Sequence, residues 1–383
     1  MIKILYIVPT IDPQYGGPVN VVNAYINLLK QRGYEIILFP RSSKSKTIYL
    51  LPFLKRFKLT YFPGIKELMK LRDLIKSVDI IHIHGLWSAP TSFGSFFARK
   101  YHKPYIITLH GMLDEWCLNQ NSIGKKIYST LLEKKNLNKA SAIHCLHEKE
   151  VENLKKLGLT TPAFVLPNGV NFKDFNFLPN KEKLVKLIPQ INNKIVVLFL
   201  GRIHPKKGFD ILIPAFANAL SRVPNLYLII AGPDEGGYIE KVQNLIEEYS
   251  LQNSVTFMGF VSGESKKALL MGSDIFILPS YQEGDSVAIK EAMASRLPVI
   301  ITPGCNFPEV EKNNAGIVVE PEVESITNAI INLANNKELR EEMGKNGHNL
   351  IKNNYDWTQI VNKLVVIYED ILNNRFTSPC WRR

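Results

Sequence analysis

Short apolar runs rich in Ile, Val, Leu and Phe alternate with longer amphipathic segments almost from end to end of the chain. That alternation is the pattern of parallel sheets wrapped by helices, and it predicts an α/β protein. A first series of strands is expected at Lys3 to Val8, Glu35 to Phe39, Asp79 to His84, Tyr105 to Leu109, Ala142 to Cys145 and Ala163 to Leu166. From 171 to 193 the rhythm breaks around Pro179, Pro189 and several Asn and Lys residues, which reads as a linker or domain edge. A second series follows at Ile195 to Leu200, Leu226 to Ala231, Val255 to Met258, Ile275 to Leu278, Val299 to Thr302 and Gly316 to Val319. A length of 383 residues suits two such domains. The expected division is 1–175 and 176–356, with a final helix within 357–383 crossing back to the first domain. Two doubly wound, Rossmann-like domains would face a central cleft at the carboxyl ends of their sheets, where ligands bind in such folds.

Composition narrows the class further. Hydrophobic residues at 45% and charged residues at 21% exclude a disordered or low-complexity chain. The longest apolar runs, such as Ile195 to Leu200, are far shorter than the ~20 residues that cross a bilayer, and Asp12 follows Met1 too soon for a signal peptide. A cytoplasmic protein is therefore expected. Cys117, Cys145, Cys305 and Cys380 form no Cys-x-x-Cys pair, so neither a zinc site nor a disulfide framework is predicted. The formal charge of +12 suits a phosphate-bearing substrate, an anionic membrane or nucleic acid, and only its placement can choose among them.

Three constellations at predicted strand ends carry chemistry. Tyr15-Gly16-Gly17-Pro18 follows the first strand and opens a helix, so free N–H groups there could meet an anion, although alone it serves equally as a tight turn. In Gly201-Arg202-Ile203-His204-Pro205-Lys206-Lys207-Gly208, three cations crowd the positive end of a helix dipole, where each is disfavoured by ~0.3 to 1 kcal/mol. Something negative should compensate them, and a diphosphate suits an Arg fork and a Lys point charge. Ser280-Tyr281-Gln282-Glu283-Gly284-Asp285-Ser286 leads into a helix from Val287 to Ser295, with Ser286 as its expected N-cap. Glu283 in the loop and Glu291 inside the helix would face one ligand at different depths, since a carboxylate accepts two hydroxyls of a diol at once. Read in isolation, they are exposed helix carboxylates satisfied by the dipole and by Lys290. His82 and His84 share one strand face and are expected to pack or to line an acceptor site. No Asp-x-Asp occurs, which argues against a metal-bridged diphosphate.

In order and spacing, Gly16-Gly17, Arg202 with Lys207, and Glu283 with Glu291 resemble the family 4 glycosyltransferases, retaining enzymes of the two-Rossmann GT-B fold. Thr108-Leu109-His110-Gly111, Pro167-Asn168-Gly169-Val170, Ala231-Gly232-Pro233 and Glu291-Ala292-Met293-Ala294-Ser295 extend the resemblance from the first strand to the closing helix. The resemblance implies that Gly16 and Gly17 approach the donor diphosphate, that Arg202 and Lys207 hold it, and that Glu291 binds the ribose. It further implies that Glu283 lies beside the transferred sugar, that backbone N–H groups of Gly284, Asp285, Ser286 and Val287 meet sugar hydroxyls and phosphate, that His110 sits on the acceptor side, and that Phe260 and Val261 lie near the base. Two departures stand out. Asp285 replaces a frequent aromatic and could accept hydrogen bonds from the hexose, and Arg296 stands where a Gly is common.

The function implied is transfer of a hexosyl unit from a nucleotide diphosphate sugar to a hydroxyl of a glycan or lipid-linked acceptor, in polysaccharide or glycolipid synthesis, without a metal or other cofactor. The rivals are a nucleotide-sugar epimerase of the same fold and a non-catalytic sugar-nucleotide-binding module. No nucleic-acid-binding signature occurs. Arg202→Ala and Lys207→Ala are each expected to lower turnover ~100-fold with little loss of folding. From Lys44 to Lys76, nine Lys or Arg against two acids interleave with aromatic and aliphatic residues, the profile either of a surface that lies peripherally on anionic lipid or of a basic face with its own packed helix.

Overall fold

The computed structural model describes residues 1–8, 17–40, 64–114, 133–175 and 178–376. Two compact units emerge, Met1–Asn168 with Thr358–Arg383, and Gly169–Trp357.

The first unit runs β1 (Lys3–Val8), α1 (Gly17–Gln31), β2 (Glu35–Pro40), α2 (Ile65–Ser77), β3 (Ile80–His84), α3 (Ala89–Lys100), β4 (Tyr105–Thr108), α4 (Lys134–Asn138), β5 (Ala142–Cys145), α5 (Glu148–Lys156) and β6 (Ala163–Val165). Its strands form one parallel sheet in the order β2-β1-β3-β4-β5-β6. Near-continuous apolar strands are what a sheet covered on both faces requires, and Ile4, Leu5, Ile80, Ile81 and Ile106 are fully buried. Local signals set the helix ends. Ser88 and Thr91 form a reciprocal capping box at the start of α3, and Pro90 lies in its first turn, where no intrahelical N–H is lost.

The second unit runs α6 (Glu182–Leu187), β7 (Ile195–Leu200), α7 (Phe209–Arg222), β8 (Leu226–Ala231), α8 (Ile239–Glu248), β9 (Val255–Gly259), α9 (Gly263–Gly272), β10 (Ile275–Leu278), α10 (Val287–Ala294), β11 (Val299–Ile301), α11 (Glu309–Lys312), β12 (Gly316–Val318), α12 (Val323–Asn335) and α13 (Lys337–Asn354). Its parallel sheet is ordered β12-β11-β10-β7-β8-β9, so the chain builds outward on one side of β7 and then returns to build on the other. The gap between the carboxyl ends of β7 and β10 is a topological switch point, where two loops diverge and leave a crevice.

The described residues between 171 and 193 form a packed edge of this unit. Leu184, Ile188 and Ile191 recur at helical spacing and are almost wholly buried. Lys181 fastens the segment by donating to the Lys194 carbonyl at 2.6 Å and to Asp274 at 2.5 Å.

The last helix, α14 (Trp357–Leu372), belongs to the first unit for all but its first residue. Its Tyr368 hydroxyl lies 2.8 Å from that of Tyr6 and 2.6 Å from His82 Nδ1, so α14 covers the polar face of the first sheet.

Candidate functional site

At the switch point of the second sheet, the loops leaving β7 and β10 are bound together. The N–H of Tyr281 donates to the Lys206 carbonyl at 2.8 Å. Gly208 turns in the left-handed region at φ +73°, and a Cβ there would meet the Pro279 carbonyl oxygen at 2.2 Å, so the close approach of the loops needs glycine. Gly304 behaves likewise, because a Cβ there would strike the carbonyl oxygens of Ser280 and Tyr281 at 2.5 and 2.4 Å.

This approach brings Lys207 against Glu283. Lys207 Nζ donates to Glu283 Oε1 at 2.5 Å, the Ser280 hydroxyl donates to the same oxygen at 2.6 Å, and each charged residue is only 6% exposed. The Glu283 backbone is held too, donating to the Gly304 carbonyl at 2.8 Å and accepting from Asn306 Nδ2 at 2.7 Å. Burial pushes the Glu283 carboxyl up, but the charges of Lys207 and Lys206 and the bonds from Lys207 and Ser280 outweigh it, so the acid lies below its ordinary value and stays ionised.

Arg202, at the end of β7, donates through Nη1 to both oxygens of Glu235 at 2.8 and 2.7 Å. The expected need for an external anion is therefore met from within the chain, Arg202 by Glu235 and Lys207 by Glu283. Sequence reading missed Glu235 because it lies 33 residues away in the loop after the neighbouring strand β8.

Around α10 the alternative reading of the pair as exposed carboxylates does not hold. Glu291 is 7% exposed and Glu283 6%. Lys290 serves neither, since it is wholly buried and donates to both oxygens of Asp285 at 2.5 and 2.6 Å. Lys266 of α9 pairs with Glu291 at 2.7 and 2.6 Å. Burial nonetheless raises the Glu291 carboxyl, against the pull of Lys266. Ser286 occupies the N-cap position but makes no side-chain cap bond, contrary to the expected cap. Val287 opens the helix after Gly284, Asp285 and Ser286. Beyond β9, Phe260 is 54% exposed and Val261 buried. Arg296 adopts the left-handed conformation, φ +65°, which a glycine takes without strain.

In the first unit Gly16 lies outside the described residues, and Gly17 is the first residue of α1. His110 follows β4 with φ +55°. Its turn is anchored by the buried Glu150, which accepts from the N–H groups of Gly111 at 2.5 Å and Leu146 at 2.6 Å. His110 Nε2 lies 2.9 Å from His84 Nδ1, and the two rings stack. His82 and His84 share a face as expected, and His82 belongs to a buried polar row. Tyr368 meets His82 Nδ1, His82 Nε2 meets Thr108 at 2.7 Å, Thr108 meets His144 Nδ1 at 2.9 Å, and His144 Nε2 meets the Leu166 carbonyl at 2.7 Å. Burial lowers the imidazoles of His82, His84 and His144, the last to about 3, so these are neutral rings that align their neighbours.

A model of glycosyltransferase family 4 matches residues 15–174, and a model of the glycosyl transferases of group 1 matches residues 180–350. The chain belongs to the family 4 glycosyltransferases. Its fold is GT-B: sucrose-phosphate synthase from Thermosynechococcus elongatus superposes with a TM-score of 0.76 at 20% identity, covering 98% of this chain and 100% of that one. Alr3699/HepE of Anabaena, in complex with UDP and glucose, also reaches 0.76, at 19% identity over 97% of this chain and 100% of its own. Among sequence relatives, the GPI3 subunit of a Saccharomyces cerevisiae phosphatidylinositol N-acetylglucosaminyltransferase is 25% identical across 94% of this chain and 81% of its own. An Escherichia coli UDP-Gal:alpha-D-GlcNAc-diphosphoundecaprenol alpha-1,3-galactosyltransferase is 26% identical across 95% of this chain and 96% of its own. Among the described residues of this glycosyltransferase, no helix is long and apolar enough to cross a membrane.

Proposed function

We propose that this glycosyltransferase moves a hexosyl unit, with retention of configuration, from a nucleotide diphosphate sugar to a hydroxyl of a glycan or lipid-linked acceptor. The observation that carries the reading is the buried Lys207–Glu283 pair at the switch point of the second sheet, with Arg202 at the end of the same strand and the buried Glu291 on the helix after β10. Arg202 and Lys207 meet the diphosphate and stabilise its charge as it departs, Arg202 exchanging Glu235 for phosphate oxygens. Glu283, held ionised, stabilises the positive charge that develops at carbon one. The acceptor oxygen bonds to carbon one on the face the diphosphate leaves, and the acceptor proton passes to the departing phosphate oxygen. Glu291 exchanges Lys266 for the two ribose hydroxyls. His110, oriented by His84, serves the acceptor side. With two cations on the diphosphate, the reaction needs no metal ion.

Two relatives support the substrate class by name, one acting on phosphatidylinositol and the other using UDP-galactose with a diphosphoundecaprenol-linked acceptor. A lipid-linked acceptor places the enzyme at an anionic membrane surface. Residues 44–63 of the basic segment lie outside the described residues, but α2 exposes Ile65 and Met69 beside Lys66 and Lys70. Co-sedimentation with anionic liposomes that weakens as salt rises is the expected behaviour, and equal binding to neutral liposomes contradicts it. The transfer itself is tested by supplying UDP- and GDP-sugars with lipid-linked and free glycan acceptors. Glycosylated acceptor supports the reading, and a free epimer of the donor sugar, or tight donor binding with no transfer to any acceptor, overturns it.

A further inference from the structure

The loops after β7 and β8 run side by side and are stitched together where they carry Arg202 and Glu235. The N–H of Ile203 donates to the Pro233 carbonyl at 2.8 Å, the N–H of Glu235 donates back to the Ile203 carbonyl at 3.1 Å, and Ile203 pairs with Asp234 as an isolated parallel bridge. A Cβ on Gly232 would strike the Gly201 carbonyl oxygen, so the backbones approach here as closely as glycine allows. Asp234 fixes the far side of the loop, its carboxylate accepting from the N–H groups of Gly237 at 2.9 Å and Ile239 at 3.0 Å. The Glu235 carboxylate therefore hangs from a backbone that is held beside Arg202.

The two ion pairs at the switch point differ in how readily they open. The side chains of Lys207 and Glu283 are each 8% exposed, whereas those of Arg202 and Glu235 are 36% and 42% exposed. An ion pair in contact with water is weak, because water takes over from either partner. Carboxylate and phosphate oxygens accept from a guanidinium in the same way, so a diphosphate can take the place of Glu235 on Arg202. The displaced carboxylate stays tethered within reach, and a tethered group competes at a high effective concentration. We propose that Glu235 is a built-in competitor of the donor diphosphate for Arg202, and that its return to the guanidinium drives release of the nucleoside diphosphate left by glycosyl transfer. The inference rests on the glycosyl-transfer reading, in which Arg202 meets the diphosphate, and adds the step that clears the site. Glu235 acts through Arg202, not on the reacting atoms.

The test measures binding of UDP, GDP, ADP and dTDP to wild type, Glu235→Gln, Arg202→Ala and the double variant, by calorimetry for affinity and stopped flow for rates. Glu235→Gln keeps the size of the side chain and removes its charge. It is expected to bind the preferred nucleotide about fivefold more tightly than wild type, the factor that an exposed ion pair of up to ~1 kcal/mol represents. The gain should come from slower dissociation, with association changed less than about twofold, and inhibition of turnover by that nucleotide should strengthen by the same factor. In the Arg202→Ala background the same substitution should leave affinity within about twofold, because the competition has lost its object. Unchanged or weaker binding by Glu235→Gln overturns the proposal, the weaker result being that of a carboxylate that only props Arg202 in place. A gain carried by association, or one that persists without Arg202, overturns it as well, since long-range repulsion of the anion gives that pattern. A wild-type protein that binds none of the four nucleotides refutes the donor reading and this proposal with it.

Discussion

Removing the Lys207 charge should unfold the second unit in a pH-dependent way, contrary to the expectation from sequence that Lys207→Ala spares folding. Glu283 is 6% exposed, and its remaining side-chain partner is the Ser280 hydroxyl. Breaking a buried pair by deleting one partner costs about 3 to 5 kcal/mol. A second route to the magnitude is to let Glu283 take a proton. From an ordinary value near 4.3, protonation at pH 7.5 costs roughly 1.4 kcal/mol for each of about three pH units, or about 4 kcal/mol, and at pH 5.0 only about 1 kcal/mol. The sign follows from the shift. In the wild type Glu283 is lowered, so its stabilising contribution is present above the unfolded value and is lost as pH falls through the folded one. Without Lys207, burial raises it, so the variant loses stability as pH rises past the unfolded value. Lys207→Met keeps the aliphatic stem and isolates the charge. Hydrogen exchange in β7 and β10 during urea unfolding reads the unit directly, and Lys207→Met/Glu283→Gln should recover most of the loss. A penalty under 1 kcal/mol at pH 7.5, or the same penalty at both pH values, refutes the reasoning.

The other ion pairs should separate from this one. Arg202→Ala removes a half-exposed pair with Glu235 and should cost no more than about 1 kcal/mol of stability while lowering turnover ~100-fold, as unfolding curves and steady-state rates will register. Glu291→Ala should weaken donor binding by ~1 to 3 kcal/mol, and a 2'-deoxy donor should hurt the wild type more than the variant; simple additivity in that cycle removes Glu291 from the ribose.

What could be read from sequence divides along a physical line. Strands such as Ile195–Leu200, Leu226–Ala231 and Ile275–Leu278 sit where their apolar runs predicted them, because burial on both faces writes itself into consecutive residues. The loops carrying Arg202, Lys207 and Glu283 were legible as strand-end motifs for the same reason. Their partners were not. Lys207 and Glu283 are 76 residues apart, Arg202 and Glu235 33, and Lys266 and Glu291 25, so each pairing depends on strand order or helix packing, which no local spacing encodes. Lys290 reads in sequence as the partner of the glutamates beside it, but it turns to Asp285 five residues back while Glu291 pairs with Lys266 of α9. On the first sheet, the alternation of His82 and His84 gave the face but not the Tyr368 that covers it from α14, nearly 300 residues later.

In the proposed reaction Arg202, Lys207 and Glu283 conduct a metal-independent, front-face transfer. The most direct test is the anomeric configuration of the product, read by NMR as it forms from an α-linked nucleotide sugar in excess EDTA. An α-linked product formed at the full rate is the predicted result; a β-linked product, or transfer that returns only when Mg or Mn is added, contradicts the account.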